Sequence, residues 1–172
     1  MNRVVLANIL TVIGELTLFV ASSRPNKKQI LFFQIICMAL TSVSSFLLKG
    51  YSGVVMGVVG ILRNVLSMRN IASRYLSYLF IGMAIVFGTL FNNNGLIGYL
   101  SILANVIQSL FILSRKTSTT QIRFACGFAS TCWVVYNYAI RSYAGVFFSG
   151  INASSYFYHA FKEIRDNKKG GQ

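Results

Sequence analysis

Long apolar stretches alternate with short polar ones along the whole chain. The apolar runs are close to 20 residues, the length that crosses a bilayer core of about 30 Å as a helix. They predict seven helices, over 3–21, 29–48, 51–68, 75–91, 96–113, 124–141 and 144–161. The connectors (SSRPNKK, KGYS, RNIASR, FNNNG, SRKTSTTQIR and RSYAG) leave no room for a soluble domain. The expected fold class is therefore an all-α integral membrane protein with seven transmembrane helices. The first block follows Met-Asn-Arg as a signal peptide would. It contains Glu15 and lacks a small-x-small cleavage site, so it reads as a retained helix.

A second regularity lies over the first. KGYSGV at 49–54 returns as RSYAGV at 141–146, an offset of 92. At the same offset, without gaps, Leu18-Phe19, Ser22, Gln29-Ile30, Phe32, Val43, Tyr51 and Gly53-Val54 meet identical residues. Ten identities over residues 18–54 exceed what a shared apolar composition supplies, so helices 1–3 are expected to recur as helices 5–7. Helices 1 and 5 then start on the same side, and the two units are parallel, a construction found in small transporters. The expected organisation is 3+1+3: a first three-helix repeat over 1–74, a linker helix over 75–95, a second repeat over 96–161 and a basic tail over 162–172. The twin phrase is the tight turn that opens the last helix of each unit, at Gly53 and Gly145.

Composition agrees with the pattern. Apolar residues make up 55% of the 172 positions and charged ones 11%, against roughly 25% in soluble domains. Net charge is +13, but it sits in loops and the tail, where it signals topology rather than nucleic-acid binding. One side of the predicted membrane holds Arg24, Lys27, Lys28, Arg69, Arg74, Arg115, Lys116, Arg123, Lys162, Arg165, Lys168 and Lys169. The other holds Arg3, Lys49 and Arg141. This asymmetry predicts an outside N-terminus and a cytoplasmic C-terminus. Cys37, Cys126 and Cys132 lie in apolar stretches without metal or redox spacing.

The seven-helix, parallel-repeat plan resembles the SWEET, SemiSWEET and PnuC-like class of transporters at the level of architecture. Three stretches, SSRPNKKQILFF, KGYSGVVMGVVGILRNVLSMR and FASTCWVVYNYAIRSYAGVFFSG, resemble the YgjV-type family of bacterial inner membrane proteins. That second resemblance implies membrane placement, fold and an inner-membrane location, and is silent on substrate.

Polar groups at bilayer depth cost at least about 2.5–3.5 kcal/mol each when charged, so each needs a reason. Glu15 and Arg63 both fall roughly 18 Å below the same boundary at 1.5 Å rise per residue. They are expected to form an ion pair that fixes register or serves as a gate. Gly53, Gly57, Gly60 and Asn64 form one small-residue face on helix 3, suited to close helix packing. Trp133, Tyr136 and Asn137 share a face of helix 6, Asn152 and Tyr156 a face of helix 7, and Asn105 and Gln108 lie on helix 5. Trp133, Asn105 and Asn152 fall near the midplane. Trp133, Tyr136, Asn137, Asn152, Tyr156, Asn105 and Asn64 are the expected substrate-binding set. The SWEET resemblance implies a Trp–Asn pair in this role, for which Trp133 and Asn152 stand. Aromatic faces with amides suit a neutral, ring-containing polar ligand.

The expected function is a facilitator or secondary transporter of a small polar solute, working by rocking of two bundles about a midplane site. The alternative is a non-transporting scaffold or partner subunit. Catalysis is not expected: the spans hold one acid and no metal or nucleophile cluster. No cofactor is implied. The expected partners are the small-molecule substrate and the lipid bilayer, with a homodimer as a further expectation.

Overall fold

The computed structural model describes residues 3–71, 73–114 and 116–169, with Asn167–Lys169 described by backbone alone. Arg115 and the side chains of Lys168 and Lys169, counted above on the basic side, lie outside the described residues, as do residues 170–172. Among the described residues there are seven α-helices and no strands: α1 (Arg3–Ser22), α2 (Lys27–Leu47), α3 (Tyr51–Met68), α4 (Arg74–Leu90), α5 (Gly95–Ile112), α6 (Thr119–Ala139) and α7 (Tyr143–Lys169). Four of them, α1, α2, α3 and α5, are long and apolar enough to cross a membrane. The apolar α4 is shorter, at 17 residues.

Two boundaries depart from the hydrophobic pattern, both for polar reasons. Helix α6 begins at Thr119 rather than near 124. Ser118 Oγ accepts from the Gln121 N–H at 3.2 Å, and the Ser118 N–H donates to Gln121 Oε1 at 3.0 Å. This capping box satisfies two end donors and starts the helix inside what reads as a loop. Helix α7 runs on to Lys169, so residues 162–169 are helical rather than a loose tail. Glu163 on that extension pairs with Arg123 of α6, whose Nη2 also donates to the Arg24 carbonyl at 2.9 Å.

Neighbour packing closes a circuit: α1 against α2, α2 against α3, α3 against α5, α5 against α6, α6 against α7, and α7 back against α1. Helix α4 leans on α3 and α5 outside that circuit. Large apolar side chains such as Tyr75, Leu90, Leu96 and Phe128 face outward, as a lipid-facing surface requires.

The twin turns are alike bond for bond. Lys49 and Arg141 both take left-handed backbone, φ 60° and 59°. The Gly50 N–H donates to the Ser45 carbonyl at 2.8 Å, and the Ser142 N–H to the Asn137 carbonyl at 2.9 Å. The bonds from Lys49 to Phe46 and from Arg141 to Tyr138 are both 3.1 Å. Each turn thus returns two end carbonyls of its helix to backbone donors before the chain reverses. Positions 92 apart also meet in space. Gln34 Nε2 lies 2.9 Å from Cys126 Sγ, and Ile30 shares one buried cluster with Ile122.

The glycine face of α3 packs on α2. A Cβ at Gly57 would lie 1.8 Å from Ser42 Oγ, and one at Gly60 would lie 2.7 Å from Met38 Sδ. The expectation of close helix packing along this face describes what the structure contains.

Candidate functional site

The circuit of helices encloses a cavity of about 60 Å³. Its wall starts beside the twin turns, at Gly53 and Ser142, and descends to Glu15, Gln34, Asn105 and Gln108. Glu15 is 12 residues from the start of α1, so the floor lies roughly 18 Å below the turns at 1.5 Å per residue. At its lower end sits the buried cluster of Ile30, Ile122, Cys126 and Tyr156, of which Cys126 and Tyr156 face the cavity and the two isoleucines do not line it. The cavity thus extends from the turn end to mid-depth and is plugged on the basic side.

Two charges flank this space, and they do not pair. The expected ion pair between Glu15 and Arg63 is corrected by the structure, which gives each its own neutral clamp. Glu15, on α1, accepts from Asn152 Nδ2 at 2.6 Å and from Ser149 Oγ at 3.2 Å, both on α7. Asn137 Nδ2 donates in turn to Ser149 Oγ at 3.2 Å. Arg63 is fully buried on α3. Its Nη2 donates to Gln108 Oε1 at 2.8 Å, its Nη1 to Asn105 Oδ1 at 3.2 Å, and its Nε to Asn64 Oδ1 at 3.1 Å. The physical reason is helix order. Helix α1 packs on α2 and α7, whereas α3 packs on α2, α4 and α5, so the two charges face different neighbours. A guanidinium has five donors in a fixed fork, and three amide oxygens from two helices satisfy most of them without a carboxylate.

The expected substrate-binding residues divide into two groups. Asn105, Trp133, Asn137 and Tyr156 line the cavity. Asn64, Tyr136 and Asn152 do not, and their amides or hydroxyl hold other elements. Tyr136 accepts from the Gly53 N–H at 2.9 Å and lies 3.1 Å from Ser52 Oγ, capping the first turn of α3. Its ring meets Trp133 edge to face at 5.2 Å. Asn64 Nδ2 donates to Gln34 Oε1 at 3.1 Å. Asn152 holds Glu15, and its own Oδ1 is buried without a partner.

Gln34 is the residue that sequence reasoning passed over. It joins Asn64, Cys126 and Tyr156 in one network at the floor of the cavity. The signal was available: an amide in the middle of an apolar helix carries the same cost as Asn105 and calls for the same attention. Among the described residues no group of His, Cys, Asp and Glu could hold a metal ion.

A bundle of apolar helices around a buried polar floor defines an integral membrane protein. Residues 5–167 match the model of the Imp-YgjV family, described as bacterial inner membrane protein, and the chain belongs to that family. No curated protein and no solved structure matches the chain.

Proposed function

We propose that the protein is a facilitator or secondary transporter of a small polar solute, not an enzyme. In this reading all seven helices cross the inner membrane, the twin turns face outward and the basic loops face the cytoplasm. Helices α1–α3 and α5–α7 act as two parallel copies joined by α4. The twin turns and the meeting of positions 92 apart support that pairing. The observation that carries the proposal is the cavity itself. It is walled by both halves of the chain, is polar at mid-depth, reaches toward one membrane face and is plugged toward the other. A packed scaffold has no need of such a space, and polar walls in a bilayer are costly unless used. Rocking of one half on the other would move the opening across the Ile30–Ile122 plug.

The test is flux into proteoliposomes across a panel of labelled polar solutes, with and without Ser130→Phe. Ser130 lines the cavity, and a ring there fills it. Saturable uptake abolished by Ser130→Phe is the expected result. Absence of saturable uptake for every solute would sink the transporter reading and leave the scaffold one.

A further inference from the structure

We infer that the cavity takes its solute by a positive charge, and that the solute class is a small protonated amine recognised by Glu15. This rests on the transporter reading above and names what that site selects.

Among the described residues lining the cavity, Glu15 is the only charged one. No described cation pairs with it; the ion pairs are Arg123–Glu163 and Arg165–Asp166. Arg63 does not supply the missing charge: it is not on the cavity wall, and Asn64, Asn105 and Gln108 take its donors. The carboxylate has only two neutral donors, Asn152 Nδ2 and Ser149 Oγ. A carboxylate offers about four lone-pair sites, so two donors leave it acceptor capacity, and Glu15 lines the void. A primary ammonium brings three N–H donors and a positive charge and no acceptor, which is the complement of that imbalance.

The rest of the wall is mixed: hydroxyls and amides alternate with Leu18, Met38, Met56, Trp133 and the Tyr156 ring. Thioether, alkyl and aromatic surface suits the carbon stem of an organic amine, and aromatic faces attract its cationic end. The volume sets the size. With about 10–15 Å³ for each water-sized position, 60 Å³ accommodates about four to six heavy atoms.

The test uses the full chain in detergent and its single tryptophan, Trp133, whose ring lines the cavity. Ethanolamine and 1,4-diaminobutane are titrated at fixed ionic strength against their charge-free counterparts, ethylene glycol and 1,4-butanediol, and against sodium chloride. The expected result is a saturable change in Trp133 emission and a rise in melting temperature with the amines alone. Glu15→Gln weakens amine binding about 10- to 100-fold, the range for losing one charged hydrogen-bond partner. Diols binding as well as amines would overturn the inference while leaving the transporter reading intact. Sodium giving the same saturable shift would also overturn it, assigning an inorganic cation instead. No response to either amine overturns it outright, and the flux panel then decides the transporter reading separately. If Glu15→Gln fails to fold, the amine–diol comparison on the unaltered chain decides alone.

Discussion

Whether Glu15 and Arg63 act on one another is decided by a double-mutant cycle. Arg63→Met removes the donors that meet Asn64 Oδ1, Asn105 Oδ1 and Gln108 Oε1. Each orphaned buried acceptor costs about 1–3 kcal/mol, and relief of guanidinium desolvation offsets part of this. The net expectation is a loss of about 3–5 kcal/mol. Glu15→Gln keeps the shape and replaces a charge-assisted bond from Asn152 by a neutral one, worth about 1 kcal/mol. The two residues share no partner, so the double variant should equal the sum of the singles within about 0.5 kcal/mol. An ion pair predicts otherwise. Glu15→Gln alone would then strand a buried arginine at about 3–5 kcal/mol, and adding Arg63→Met would restore most of it. The assay is reversible unfolding by sodium dodecyl sulfate from mild detergent, followed by Trp133 fluorescence. A coupling energy above about 1.5 kcal/mol would refute separate clamping.

Other perturbations address single features. Lys49→Gly and Arg141→Gly should each stabilise the fold by about 0.5–1 kcal/mol in the same unfolding assay, because each relieves a left-handed non-glycine residue. Destabilisation by both would show that the turns are built differently. Tyr136→Phe strands the buried Gly53 N–H and should cost about 1–3 kcal/mol, with Trp133 emission altered through the ring contact. Ser118→Ala should cost about 1 kcal/mol and fray the start of α6, read as faster amide exchange at 119–123. For orientation, a membrane-impermeant maleimide applied to whole cells should label Asn93→Cys and spare Lys28→Cys; the reverse result would invert the proposed topology.

The seven helices were legible because apolar runs, four of them long enough to cross a membrane, stand out between polar connectors, and five of the seven end within two residues of the hydrophobic pattern. The two that do not are set by polar chemistry, at Ser118–Gln121 and at Arg123–Glu163, which a hydropathy pattern treats as loop or tail. Both intramembrane charges could be picked out from cost, four of the cavity-lining residues from helix face and depth, and the turn phrase from its recurrence 92 residues on. Their partners could not. Depth along a helix says how far a residue lies from the boundary, but not which neighbour its face meets. Glu15 and Arg63 lie at equal depth yet face α7 and α5, and only the packing order of the helices settles that. Asn152 and Asn64 were expected to bind substrate. They hold a carboxylate and a guanidinium instead of lining the cavity.

The contact between Gln34 and Cys126 has one more consequence. In a pair of identical three-helix chains, a residue at that place would face its own image, and any change there would be made twice. Two acids would enter the bilayer together, or two arginines. In the two-repeat reading proposed above, joining both units in one chain frees each position from its copy. Gln34 can donate where Cys126 accepts. One seam can carry Glu15 while its counterpart carries Arg63. A single gene thereby obtains a polarised interior that a symmetric assembly could not encode.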